Sequence, residues 1–267
     1  NVDTSNNGLH CTASSTTLYR NNGDGTFTSI AAGFPGVSDG SLAWGDADND
    51  GKPDLLLTGR IASGSWSGTT WQDTSALQVK VYKYAGGSAF TELGTGMPAM
   101  AYSTAAWGDY DSDGKLDFIE SGCSTLNSAG ACTASASRLA RSVAARVNTH
   151  PTAPASLVTS INGDAVTLSW NASSDTQTAA AGLTYNVRVG TSQLGGQVMP
   201  ALSLSSNGTR QVPQIGNSEH GLSTTIRGLT LGATYYWSVQ AVDQGMAGST
   251  FATPLSFTVP WFSAMSS

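Results

Sequence analysis

The chain has 267 residues, enough for one or two domains, with 31 Gly, three His and 11% charged residues, against the roughly 25% usual in globular proteins. No apolar run approaches the ~20 residues of a membrane helix and no stretch is basic, which argues against a membrane span and a nucleic-acid surface; 39% hydrophobic residues argue against wholesale disorder. The net charge of -6 is local, because eight of the eighteen acids fall in two nine-residue windows, Asp46 to Asp54 and Asp109 to Asp117.

Residue 1 is Asn rather than Met, so an export signal is expected to have been removed or to lie outside this sequence. Leu18 to Asn21, the turn Asn22-Gly23-Asp24-Gly25 and Thr26 to Thr28 predict a hairpin. Ser41 to Trp44 and Leu55 to Leu57 predict a second hairpin around the first acidic window. The pattern then returns: Tyr19 aligns with Tyr82, Phe27 with Phe90, Trp44 with Trp107, Asp46 with Asp109 and Gly59 with Gly122, always at an offset of 63. Repetition at this period means stacked or radially arranged units, and four short strands per unit suit one propeller blade. A third, partial copy sets Cys11, Leu18 and Arg20 against Cys132, Leu139 and Arg141 at an offset of 121, with Val2 at the position of Cys123. About two and a half blades result, leaving strand edges that another copy, another chain or a further segment must cover. Cys123 and Cys132 bracket a Ser- and Gly-rich loop and suit a local disulfide in an oxidising compartment, with three buried thiols as the alternative. Cys11 is left without an obvious partner.

Both acidic windows read Asp-x-Asp-x-Asp-Gly-x-x-Asp. Side chains at positions one, three and five converge, Gly turns the chain sharply, and a carbonyl at seven with a carboxylate at nine completes an oxygen shell suited to calcium. The expected ligands are Asp46, Asp48, Asp50, the Lys52 carbonyl and Asp54, then Asp109, Asp111, Asp113, the Lys115 carbonyl and Asp117, making two Ca2+ sites. Four carboxylates this close repel one another without a cation. Glu120 falls at position twelve of the second loop, as an EF-hand requires, but the short flanks Leu55 to Leu57 and Leu116 to Ile119 read as strands rather than helices, so the match is taken as coincidence.

Trp-Gly-Asp followed by Asp-x-Asp-Gly-x-x-Asp, preceded by Leu-Tyr-Arg-Asn-Asn-Gly-Asp-Gly-Thr-Phe, resembles the FG-GAP or VCBS repeats of integrin-alpha-type β-propellers over roughly Asn1 to Asn148. The resemblance implies calcium-stabilised blades in extracellular proteins of adhesion, recognition or assembly.

Asn148 to Pro154 reads as a linker, with residues 149–153 separating the repeat region 1–148 from a β-sandwich at 154–259. Ala165 to Trp170, Leu183 to Val189 and Tyr235 to Asp243 alternate as strands, with Trp170 and Trp237 as core residues. Leu229, Gly232 and Tyr235 resemble the tyrosine corner of fibronectin type III-like domains, which usually act as spacers or interaction surfaces. From Pro151 onward there are no Lys, three Arg and four acids. The tail 260–267 opens Pro260-Trp261-Phe262, either frayed or an anchor on a neighbouring subunit.

His10, His150 and His220 share no metal-ligand spacing, and there is neither a Gly-x-Ser-x-Gly elbow nor a phosphate loop. Glu92 and Glu120 are the remaining carboxylates that could oppose each other, with solvated surface residues as the plainer reading. Asn171-Ala172-Ser173 and Asn207-Gly208-Thr209 are glycan acceptor triplets. The expected fold is all-β: incomplete propeller-like blades with calcium loops, then a fibronectin type III or immunoglobulin-like sandwich. The expected function is a non-enzymatic extracellular structural protein that self-assembles into a filament or surface layer through its incomplete blades and tail. Other copies, neighbouring surface proteins and glycans are its expected partners. The alternative is an adhesion or ligand-binding module of a larger secreted or cell-surface protein.

Overall fold

Short β-branched and aromatic runs punctuated by Gly, Asn and Asp fold here as strands and tight turns. The computed structural model describes residues 2–3, 10–11 and 13–261 and is all-β, with a single 3-10 turn at Ala180–Gly182 as the helix among the described residues. Two compact units are present: Asn1–Asp48, Pro53–Asp111 and Leu116–Ala144 form the first, and Asn49–Lys52, Ser112–Lys115 and Ala145–Ser267 the second.

In the first unit, β1 (Val2–Asp3) pairs with β2 (His10–Cys11), and β3 (Leu18–Asn21) with β4 (Phe27–Ile30) as the expected hairpin. A four-stranded antiparallel meander follows, β5 (Leu42–Gly45), β6 (Asp54–Ile61), β9 (Ala76–Gly86) and β10 (Ala89–Leu93), interrupted by a small hairpin of β7 (Gly64–Ser67) and β8 (Thr70–Asp73). Then β11 (Ala101–Gly108), β12 (Asp117–Leu126) and β13 (Cys132–Ala140) form a three-stranded sheet in that order. The repeats are visible in the pairing: Leu55 lies opposite Tyr82 on β6 and β9, and Phe118, 63 residues after Leu55, lies opposite Ala140, the third-copy counterpart of Tyr19 and Tyr82, on β12 and β13. Each sheet thus joins the acidic hairpin of one repeat to the strand that opens the next. The β7–β8 hairpin was not expected; an edge-to-face pair of Trp66 and Trp71, centroids 5.6 Å apart, holds its two strands together.

Leu55, Leu57 and Tyr82 form an apolar cluster with Phe34, Val37 and Phe90. β11 packs against β5 and β6, where the Trp107 indole N–H donates to the Ala43 carbonyl at 3.2 Å. Cys123 and Cys132 form the disulfide, their Cα atoms 5.7 Å apart, so the alternative of three buried thiols is discarded.

In the second unit, β14 (Ala155–Asn162), β15 (Ala165–Asn171) and β17 (Ser223–Ile226) make one antiparallel sheet, and β16 (Thr184–Gly190), β18 (Thr234–Val242) and β19 (Leu255–Thr258) the other. Their apolar faces share one core, with Val166, Leu168 and Trp170 from the first sheet against Tyr185, Val187, Trp237 and Val239 from the second. Trp170 and Trp237 are buried, with centroids 6.2 Å apart, as core residues should be. The Tyr235 hydroxyl accepts the Thr230 N–H at 3.1 Å, pinning the turn that enters β18. Trp261 is exposed and lies over Gly232; the rest of the expected anchor, from Phe262 to Ser267, lies outside the described residues.

Candidate metal centres

Each acidic loop joins two neighbouring strands of a sheet, β5 to β6 and β11 to β12, which places both in the interior of a hairpin rather than between helices. The repeat extends to backbone conformation. Position four is left-handed in both loops, Asn49 at φ 55° and Ser112 at φ 59°, and so is the Gly at position six, Gly51 at 84° and Gly114 at 78°. Two residues at positive φ within three turn the chain back on itself, so the side chains before and after them meet.

Carboxylate oxygens of Asp46, Asp48 and Asp50 lie within 4.8 Å of one another in the first loop, and those of Asp109, Asp111 and Asp117 in the second. Six of the eight expected acids are thereby gathered into two triads; Asp54 and Asp113 stand outside these groups. Asp54 and Asp117 share a structural role. The Asp54 carboxylate accepts the N–H of Ala47 at 2.9 Å and of Tyr84 at 2.9 Å, while Asp117 accepts those of Tyr110 at 3.2 Å and Ser142 at 2.7 Å. The ninth-position Asp therefore ties its loop to the following strand or to the segment after it. Lys52 and Lys115 turn their N–H groups to Asp50 and Asp113, each at 3.1 Å.

Cations surround the triads, and the sequence reading missed them. The Lys83 ammonium pairs with Asp48, and the Arg141 guanidinium with Asp111 at 2.5 Å. Lys83 and Arg141 follow the mutually equivalent Tyr82 and Ala140, so aligning the repeats beyond their aromatic landmarks finds both. Lys52 and Lys115 add contacts of 3.4 Å to Asp50 and Asp113. Burial raises the Asp117 carboxyl above its ordinary value, and the charges of Asp111 and Asp109 push the same way, against the N–H donors. Such a set of oxygens, mutually repelling and drawing in every nearby cation, fits a hard divalent ion.

Glu120 is fully buried on β12 and burial raises its carboxyl. It belongs to neither triad and stands where the first repeat has Leu57. Glu92, on the other sheet, is half exposed and pairs with Lys80 at 2.7 Å, so Glu92 and Glu120 do not form the opposed pair considered above. The His150 and His220 rings each make a 2.9 Å hydrogen bond from Nδ1 to a backbone carbonyl, Gly248 and Leu183; the side chain of His10 lies outside the described residues. Asn171 and Asn207 are both exposed. Among the described residues no helix is long and apolar enough to cross a membrane.

A family model described as an FG-GAP-like repeat matches residues 9–57, which contain the β3–β4 hairpin and the first acidic loop. No curated protein sequence matches the chain. Among solved structures, the chain is similar to the FN1-FN3 domains of chicken CNTN1, with 13% identity and a TM-score of 0.32 over 84% of this chain and 64% of that one. It thus spans less than two thirds of that chain's length.

Proposed function

We propose that this chain is a non-enzymatic, extracellular, calcium-binding structural protein whose acidic loops clamp propeller-like blades, and that it assembles into a filament or surface layer through uncovered blade edges and its tail. The observation that carries the reading is the gathering of three carboxylates on one backbone turn between paired strands of two successive repeats, from loop positions one, three and five in the first and one, three and nine in the second. Asp46, Asp48, Asp50 and the Lys52 carbonyl serve the first ion, and Asp109, Asp111, Asp117 and the Lys115 carbonyl the second, with Asp54 and Asp113 completing the shells. Calcium suits such an oxygen-rich protein shell better than magnesium, which keeps more of its water. The disulfide and the FG-GAP-like match support an extracellular setting. The same match favours a second reading, an adhesion or ligand-binding module within a larger secreted or cell-surface protein. The second unit serves in either case as a fibronectin type III-like spacer or contact surface.

Isothermal titration of the chelated protein tests the calcium sites: two saturable steps are expected, and Asp48→Ala with Asp111→Ala should abolish both. Electron microscopy in calcium and after chelation tests assembly. Ordered fibres or sheets that fray in chelator support it, whereas dispersed particles under both conditions leave the module reading.

A further inference from the structure

One end of the second unit gathers buried oxygens that the chain itself leaves unmet. Asn49, 1% exposed, spends its amide N–H groups on the Gly114 and Arg146 carbonyls, at 2.9 and 3.2 Å. Asn148 donates to the Asp243 carboxylate at 2.8 Å. Asp175 accepts the N–H groups of Gln177 and Thr178 on one oxygen, at 2.9 and 2.7 Å. The other oxygen of each group, Asn49 Oδ1, Asn148 Oδ1 and Asp175 Oδ1, is buried without a hydrogen-bond partner. Turning either amide over is no remedy, because its N–H groups would desert acceptors that need them.

The three residues belong to one neighbourhood within that unit. A Cβ built on Gly245 would stand 2.7 Å from Asn148 Nδ2, 3.2 Å from its Cγ and 3.4 Å from Asn49 Oδ1, so the glycine keeps open the space that the two amides flank. Asp175 sits on the adjoining turn, where the Gln177 side chain donates to the Val147 carbonyl at 3.2 Å and accepts the Thr149 hydroxyl at 2.5 Å. The Gln177 carbonyl lies against Gly51, two residues after Asn49. Asp175 makes no ion pair among the described residues, and its charge bears on Asp243. Asp243 itself is provided for: its oxygens accept N–H groups from Asn148 and Ala247, and its charge is faced by Arg210 and His150.

We propose that Asn49 Oδ1, Asn148 Oδ1 and Asp175 Oδ1 hold an alkali-metal cation, sodium or potassium, at this end of the sandwich. Three acceptors without a donor call for a cation or a hydrogen-bond donor. A water brings two protons and no charge, which leaves one oxygen unmet and the Asp175 carboxylate uncompensated. One carboxylate with two neutral amide oxygens balances a single positive charge, whereas the four-carboxylate loops suit a divalent ion. The ion ties together the tip of the first acidic loop, the segment that enters the sandwich and the turn at Asp175. It takes none of the loop's carboxylates, so the inference goes beyond the calcium reading and does not rest on it.

The test compares the full chain, at constant calcium, in sodium, potassium and tetramethylammonium chloride of equal concentration; the last matches the ionic strength and is too bulky for the site. Sodium or potassium should slow amide exchange at residues 175–178 and 243–248 about tenfold at ten times its dissociation constant. Whichever acts at the lower concentration is the ion held. Gly245→Ala, whose Cβ fills the space, and Asp175→Asn, which keeps the turn's acceptor but not its charge, should each lose the difference between salts. Asp164→Asn, at an acid paired with Arg227 on the surface, should keep it. Each variant is compared with itself between salts, so a change in its basal stability does not enter. Identical exchange in all three salts overturns the inference in favour of a bound water, and so does a difference that survives both substitutions. Protection that only added calcium produces overturns it in favour of a divalent ion.

Discussion

Lys83 and Arg141 sit against the acidic triads as internal counter-ions. On the calcium reading proposed above, a divalent ion entering either loop would compete with them for Asp48 and Asp111, so each would contribute to structure and lower affinity at the same time. Lys83→Met should tighten calcium binding at the first loop about two- to fivefold, the scale of a partly exposed ion pair, as read by titration calorimetry. A weaker site in that variant would mean that Lys83 holds the loop in its binding shape instead. Neither residue stands out in the sequence until the repeats are aligned strand by strand, because a lone Lys or Arg is ordinarily read as solvated surface.

Asp243 carries the clearest pH dependence in the second unit. Burial pushes its carboxyl up to about 6, with the nearby Asp175 charge adding to the effect, although Asn148 and Ala247 donate hydrogen bonds to it and His150 opposes the rise. In the unfolded chain the group titrates near 3.8. Between these values the folded state keeps a proton that the unfolded state has lost. This group therefore makes the second unit less stable as pH rises from about 4 to about 6, by up to about 3 kcal/mol. Asp243→Asn should flatten that slope in thermal melts across the same window; an unchanged slope would assign it to other carboxyls.

The strands and acidic hairpins were legible because their signals are local. Asn22-Gly23-Asp24-Gly25 dictates the β3–β4 turn, and the Asp-x-Asp spacing with its Gly turn brings Asp46 to Asp48 and Asp109 to Asp111, whereas the third member differs, Asp50 in one loop and Asp117 in the other. Burial was not legible. Trp44 and Trp107 occupy one repeat position, yet Trp107 is buried, its N–H on the Ala43 carbonyl, while Trp44 is exposed. The β7–β8 hairpin escaped because Ser, Thr and Gly dominate it, and the contacts that hold it, the Trp66–Trp71 pair and the Asp73 ion pair with Arg60, leave no periodic signal. The disulfide between β12 and β13 closes a short loop, so its loss should cost the first unit about 2–3 kcal/mol in the chain-entropy account. Cys123→Ser with Cys132→Ser is expected to lower the melting transition of that unit alone, and a shift in the second unit's transition would contradict this.

For the whole molecule, two units with separate cores predict two transitions on heating. Calcium at about a hundred times its dissociation constant adds roughly 2.7 kcal/mol per site to the state that binds it. Chelation should therefore move the repeat unit's transition downward and leave the sandwich core, held by Trp170, Trp237 and their neighbours, close to where it was. Differential scanning calorimetry with and without chelator measures both at once. The 63-residue pattern ends near Asn148, and that is the mark the sequence offers for a boundary between repeat and sandwich. It did not foresee that the tips of the acidic loops group with the second unit, where the Asn49 amide donates to the Gly114 and Arg146 carbonyls at 2.9 and 3.2 Å. Those contacts join residues far apart in the chain and leave no local signature.

A chain that repeats its own pairing geometry invites errors as it collapses, because β12 offers β9 nearly the register that β6 does. Glu120 bears on that hazard. It stands at the position of Leu57, whose side chain fills the cluster with Phe34 and Val37, so a β12 strand misplaced beside β9 would give up those apolar contacts and set a carboxylate among them, opposite Lys80 instead of Arg138. The misassembled pairing would therefore bury less apolar surface than the native one. One acid at a buried repeat position thus makes two otherwise interchangeable hairpins distinguishable during folding.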